Sequence, residues 1–91
     1  MAGETAEARL KRLAMRSWRR GTKEMDLVLG PYADAHLAGM GEAALALYDR
    51  LLAEHDQDLI LWVMGQRSAP PDYFDLVARI AGFALVRLKD G

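Results

Sequence analysis

Apolar side chains recur at every third or fourth position along most of the chain, and no segment alternates apolar and polar side chains over the length of a strand. This spacing is typical of amphipathic helices. Ala and Leu supply most of the apolar positions, and both favour helix more strongly than β-branched residues do. The pattern therefore predicts an all-α fold, a compact five-helix bundle.

The same pattern gives the limits of the helices, which are about residues 5–18, 22–37, 41–54, 56–64 and 71–88. Thr5 is suited to cap the first helix, because a hydroxyl can accept a bond from a free backbone N–H. Gly21 ends the first helical pattern. Pro31 lies inside the second helix and predicts a kink there. Pro71 suits the first turn of the fifth helix.

With 91 residues, the chain is long enough for one domain, predicted over residues 1–91 with an ordered core at about 5–88. So small a core leaves little room for a cofactor cavity, which favours function through the surface. Cysteine is absent, so disulfides and thiolate chemistry are excluded. No apolar stretch approaches about 18 residues, and no secretory signal is recognisable. We expect a cytoplasmic monomer without membrane insertion.

The net charge of −1 conceals an asymmetry: residues 1–23 carry seven basic and two acidic side chains, and residues 24–91 carry five basic and eleven acidic ones. Such polarity can steer a charged partner. It can equally let the basic first helix dock on the acidic remainder. Trp18 beside Arg19 and Arg20 leaves a nucleic-acid-binding regulator as the alternative function, although the pI of about 6.1 argues against it.

Residues suited to catalysis or metal binding are few. His36 and His55 have no metal-ligand spacing between them. Asp56 and Asp58 precede an apolar helix, where aspartates usually cap. The serines lie in no nucleophile motif, and no phosphate loop is present. Gly82 is expected to permit a close contact between helices. The sequence therefore predicts no catalytic, metal-binding or cofactor-binding residues and no enzyme.

The segment between the first two helices is the most unusual part of the chain. Gly21 permits close approach of another backbone, and Arg20 carries five donors in a fork that suits carboxylates. Glu24 and Asp26 place two carboxylates in the first turn of the second helix. Read locally, the segment is a helix corner in which Arg20 pairs with Glu24.

The chain also resembles a known family through two motifs. Arg20-Gly21-Thr22-Lys23-Glu24-Met25-Asp26 is similar to the signature Arg-Gly-x-x-Glu, with an Asp two residues on, of the small flavinylation factors of succinate dehydrogenase. The second motif of that family, Leu-Leu followed by Asp-x-Asp-Leu-x-x-Trp, is matched by Leu51, Leu52, Asp56, Asp58, Leu59 and Trp62. The resemblance runs from about residue 10 to 85.

This resemblance implies a five-helix assembly factor that binds the flavoprotein subunit of succinate dehydrogenase and promotes covalent attachment of FAD to a histidine of that subunit. The fumarate reductase flavoprotein is a second candidate partner, and FAD belongs to the partner. Nucleic acid is not implied as a partner. The resemblance places Arg20, Gly21 and Glu24 at the partner surface, with Arg19 and Asp26 beside them. For Asp56, Asp58 and Trp62 we expect structural roles, as cap and core.

Overall fold

The computed structural model describes residues 3–90, with the side chains of residues 3–87. In this range the chain forms five α-helices and one turn of 3-10 helix, and it contains no strand. The elements are α1 (Ala6–Trp18), α2 (Lys23–His36), the 3-10 turn (Leu37–Gly39), α3 (Glu42–Leu52), α4 (Asp56–Val63) and α5 (Phe74–Asp90). The predicted all-α, five-helix architecture is confirmed. The predicted domain limits extend to residues 1, 2 and 91, which lie outside the described residues.

Threonine side chains begin the first two helices. Thr5 Oγ1 accepts a hydrogen bond from the backbone N–H of Ala8 at 3.0 Å, so the predicted cap of α1 is confirmed. Thr22 Oγ1 accepts from the N–H of Met25 at 3.3 Å. Each hydroxyl satisfies a backbone donor that has no partner inside the helix. Each of the first two helices therefore begins with a threonine cap.

Three local predictions were wrong. His55 precedes α4 at the cap position, and Asp56 lies in the first turn, where its carboxylate is free to bond elsewhere. Helix α5 begins at Phe74, since the chain first makes a tight turn in which Tyr73 N–H bonds the Pro70 carbonyl. No atom of the described residues lies within 4 Å of the Cβ position at Gly82, so this glycine permits no close helix contact among them. The continuation of α2 past Pro31 as far as His36 is as predicted.

The core lies where α2 packs against α1, α4 and α5. Its buried apolar side chains come from all five helices, from the 3-10 turn and from the turn that precedes α5. They are Leu13, Met25, Leu29, Tyr32, Ala33, Leu37, Tyr48, Leu51, Leu52, Leu59, Trp62, Tyr73, Leu76, Val77 and Ile80. The hydroxyls of Tyr48 and Ser17 are buried together and lie 2.7 Å apart. Burial raises the pKa of Tyr48 to about 12. Within the described residues, no helix combines the length and apolar character needed to span a bilayer.

The arginines of α1 are paired with acids elsewhere in the fold. Arg9 contacts Glu42 at 2.6 Å, and Arg16 contacts Asp49 at 2.6 Å. Arg12 bonds both Glu4 and Asp49, and the Arg12 guanidinium lowers the pKa of each carboxyl. The charge asymmetry of the sequence therefore helps to dock the basic first helix on the acidic remainder.

Candidate functional site

The corner between α1 and α2, defined here as residues 19–26, lies against the junction of α3 and α4. Helix α1 ends at Trp18, and α2 begins at Lys23. Gly65 is the only described residue with a positive φ, so the backbone at Gly21 does not require glycine. A Cβ at Gly21 would stand 3.2 Å from Asp56 Oδ2, a distance that real Cβ atoms seldom show. Closeness to that carboxylate, and not an unusual turn, accounts for the glycine.

Arg20 turns its side chain inward across this junction. Its Nη1 donates to the Leu52 carbonyl at 2.5 Å, and its Nη2 donates to the Glu54 carbonyl at 2.8 Å. Its Nε donates to Asp56 Oδ1 at 2.8 Å. The side chain is only 11% exposed, so its polar contacts are largely shielded from water. Arg20 is therefore a structural link between two distant parts of the chain.

Two carboxylates complete this link. Asp56 receives the Arg20 side chain on one oxygen and the Gly21 backbone N–H on the other, the latter at 2.8 Å. Asp26 Oδ1 accepts from the backbone N–H of Arg20 at 2.6 Å. Arg20, Asp26, Asp56 and the Gly21 backbone are called the Arg20–Asp56 network below. The network fixes both the side chain and the backbone of the corner.

The helix dipoles favour this arrangement. The guanidinium of Arg20 meets the carbonyl end of α3, where positive charge is stabilised, and Asp56 lies in the first turn of α4, where negative charge is stabilised.

Because Arg20 is engaged here, the local prediction that it pairs with Glu24 was wrong. Sequence reasoning assigned Asp56 to a cap and missed its contact with the corner. The presence of both motifs in one chain was the only sequence signal that could have indicated this contact.

The network leaves a definite set of corner residues at the surface. Exposed residues are Arg19, Gly21, Thr22, Lys23 and Glu24. Beside them runs an open groove of about 540 Å³, whose other wall is formed by residues 52–57. Arg19, Gly21 and Glu24 are thus where a partner could reach them, whereas Arg20 and Asp26 support them from within. Contact of these five residues with a partner remains a prediction.

The remaining residues of the second motif have structural positions. Trp62 is buried, and its ring centroid lies 6.1 Å from that of Tyr73. Asp58 bonds Arg67 at the surface, at the loop that follows α4. The core role expected for Trp62 is confirmed, whereas neither aspartate is a cap.

The alternative chemistries find little support in the described residues. No group of three or more His, Asp or Glu side chains there is arranged to hold a metal ion. The basic patch suggested by Arg19 and Arg20 is reduced, because the Arg20 side chain points inward to Asp56. Arg9, Arg12 and Arg16 are each paired with an acid.

A model of one protein family, described as "flavinator of succinate dehydrogenase", matches residues 11–84. The chain is 38% identical over 69 residues to the mitochondrial succinate dehydrogenase assembly factor 2 of Meyerozyma guilliermondii, covering 76% of this chain and 51% of that protein. It is 40% identical over 67 residues to the protein of the same name from Schizosaccharomyces pombe, covering 74% and 48%. For the Caenorhabditis elegans protein of that name, the identity is 38% over 72 residues, covering 77% and 60%.

Both motifs lie inside the matched range, and the Arg20–Asp56 network joins them. The chain spans about half the length of the first curated relatives that it matches. Those relatives are named as mitochondrial proteins. The cytoplasmic location expected from the sequence stays a prediction.

Proposed function

This chain belongs to the family of flavinators of succinate dehydrogenase, and we propose that it promotes covalent attachment of FAD to the flavoprotein subunit of succinate dehydrogenase by docking its α1–α2 corner on that subunit. The observation that carries this proposal is the Arg20–Asp56 network. It anchors the backbone at Arg20 and Gly21, and Arg19, Gly21 and Glu24 are exposed beside these bonds.

A fixed corner favours binding because little conformational freedom is lost on association. Gly21 keeps the surface of the corner low, so a partner backbone can approach it closely. Within the described residues, the Glu24 carboxylate accepts no hydrogen bond and is available to a donor of the partner. A charge-assisted bond to Glu24 is stronger than a neutral one and depends on geometry.

The proposed role is that of an assembly factor, with the chemistry carried out inside the partner. A histidine of the flavoprotein supplies the nucleophile, and FAD is the partner's own cofactor. Docking of this chain holds the flavoprotein in a conformation in which that histidine and the flavin are well aligned, and alignment of reacting groups lowers the barrier. The fumarate reductase flavoprotein is a second proposed client, and the chain acts as a monomer.

The test is co-expression with the flavoprotein subunit in a host that lacks its own flavinylation factor. Covalent flavin is read by ultraviolet fluorescence of the denatured subunit in a gel. The wild-type chain should restore flavin loading and Glu24→Gln should lose most of it.

Glu7→Gln is the matched control. Glu7 occupies the same position in α1 that Glu24 occupies in α2, two residues after a capping threonine. Each variant removes one favourable interaction with a helix dipole, of about 0.3–1 kcal/mol. Equal loading by Glu24→Gln and Glu7→Gln would refute the role of the corner, and no loading above background with the wild-type chain would refute the function itself.

A further inference from the structure

An apolar patch lies next to the corner, and its side chains are partly exposed to solvent. Trp18 is 40% exposed, Met15 is 45% exposed and Leu27 is 49% exposed. Met15 lies one turn before Trp18 on α1, and residues three apart on a helix are neighbours on its surface. Met15, Trp18 and Leu27 are called the Trp18 patch below.

The Trp18 ring is held in one orientation. Its ring lies so close to Gly30 of α2 that a Cβ there would stand 2.3 Å from ring atom Cδ2. Its Nε1 donates a hydrogen bond to Asp34 Oδ2 at 3.1 Å. Gly30 is a buried residue of α2, so glycine at this position provides the space in which the indole packs. The ring is fixed at one face and at its polar atom, and the remainder of it meets solvent.

Leu27 extends the patch along α2. Residues 27, 30 and 34 follow one another at intervals of three and four, which places them in one row on the helix surface. Since the indole covers Gly30 and bonds Asp34, Leu27 is the next position in that row toward the N-terminus. Lys23 precedes it by one further turn and belongs to the corner. The patch and the corner therefore form one continuous surface.

Resting on the proposed function, we propose that the Trp18 patch is part of the docking surface for the flavoprotein subunit, with Trp18 as an anchor residue that enters an apolar recess of that subunit. Tryptophan is enriched among the residues that dominate binding energy at protein interfaces. An aromatic side chain that is already fixed loses little entropy when it binds. Exposed apolar side chains beside a charged and polar corner match the usual composition of an interface, with an apolar centre and a polar rim.

The experiment measures the affinity of the purified, full chain for the purified flavoprotein subunit by isothermal titration calorimetry. Trp18→Ala should weaken binding about 30-fold, the effect typical of an anchor residue. Leu27→Ala, which keeps the Trp18 packing and favours helix, should weaken it about 5-fold. Phe74→Ala is the matched control, because Phe74 is an aromatic side chain on α5 that is 56% exposed and outside the patch. It should leave affinity within about 2-fold of the wild type.

Circular dichroism first establishes which variants are folded. A folded Trp18→Ala chain that binds within about 3-fold of the wild type overturns the proposal. If Trp18→Ala does not fold, Leu27→Ala decides, and wild-type affinity of that variant overturns it equally. A second copy of this chain is the other molecule that could cover the patch, and sedimentation velocity tests for it. If the wild-type chain is a dimer, and Trp18→Ala makes it monomeric without changing its affinity for the flavoprotein, then the patch binds a second copy and the proposal is overturned. A wild-type chain that does not bind the flavoprotein at all would instead refute the proposed function.

Discussion

Replacing Asp56 by Asn tests whether the Arg20–Asp56 network holds the corner in place. An Asn side chain keeps one acceptor oxygen and replaces the other with an NH2 donor, so it cannot accept the Arg20 Nε–H on one terminal atom and the Gly21 N–H on the other, as Asp56 does. The ion pair is largely shielded, with side-chain exposures of 11% for Arg20 and 18% for Asp56. Breaking a fully buried pair costs about 3–5 kcal/mol, and hydrogen bonds to charged groups contribute about 1.5–3 kcal/mol each.

Because the pair retains some contact with water, we expect Asp56→Asn to lower the free energy of unfolding by about 2–3 kcal/mol. For a domain of this size that corresponds to a fall in Tm of about 10–20 °C. Thermal unfolding followed by circular dichroism at neutral pH measures it. Asp56 is not part of the apolar core, so the fold itself should survive.

Asp58→Asn is the matched control on the same helix. Asp58 pairs with Arg67 at side-chain exposures of 36% and 55%, and exposed ion pairs contribute about 0–1 kcal/mol. Its Tm should therefore fall by no more than about 8 °C. A Tm for Asp56→Asn within about 3 °C of the wild type, or equal losses for the two variants, would refute the argument that the network stabilises the corner.

Two further predictions concern pH. The Arg12 guanidinium lowers the pKa of Asp49 in the folded state, so this group stabilises the fold above its unfolded pKa and the contribution disappears as the pH falls through the lower folded value. Urea unfolding at a series of acidic pH values should show a shallower acid loss for Asp49→Asn than for the wild type, and equal slopes would contradict this. Burial raises the pKa of Tyr48 to about 12, so its contribution is complete below about pH 10 and is lost as the pH rises toward about 12. The free energy of unfolding should fall less steeply with rising pH for Tyr48→Phe than for the wild type. An unchanged profile would mean that Tyr48 has the same pKa in the folded and unfolded states.

Much of the fold follows from local signals in the sequence. The apolar spacing predicts each helix, and Thr5 can be recognised as a cap because capping needs only a hydroxyl and the next turn of the same helix. The chain also contains a more distant signal, the asymmetry of charge, whose pairs between α1 and α3 appear in the structure. From the sequence alone, this asymmetry could mean either that the first helix docks on the rest of the chain or that the charge steers a partner.

The candidate site depends on contacts that local reasoning could not supply. Arg20 and Asp56 are 36 residues apart, so a reading of the corner alone gives Arg20 a nearer partner, Glu24. The φ of Gly21 is ordinary, and the constraint at this position is the Asp56 carboxylate, which is 35 residues away in the sequence. In the same way, only the packing of α1 on α2 shows that the Trp18 indole lies against Gly30.

The most direct test of the account is the affinity of a Gly21→Arg chain for the flavoprotein subunit of succinate dehydrogenase. Gly82→Arg is the control, since it adds the same side chain at an exposed glycine whose Cβ position has no atom within 4 Å in the part of the chain that the structure describes. A new side chain at Gly21 blocks close approach to the corner and crowds the Asp56 carboxylate, which stands 3.2 Å from the added Cβ. We predict that Gly21→Arg stays folded and loses detectable binding while Gly82→Arg binds like the wild type. Wild-type affinity of a folded Gly21→Arg chain would contradict the account.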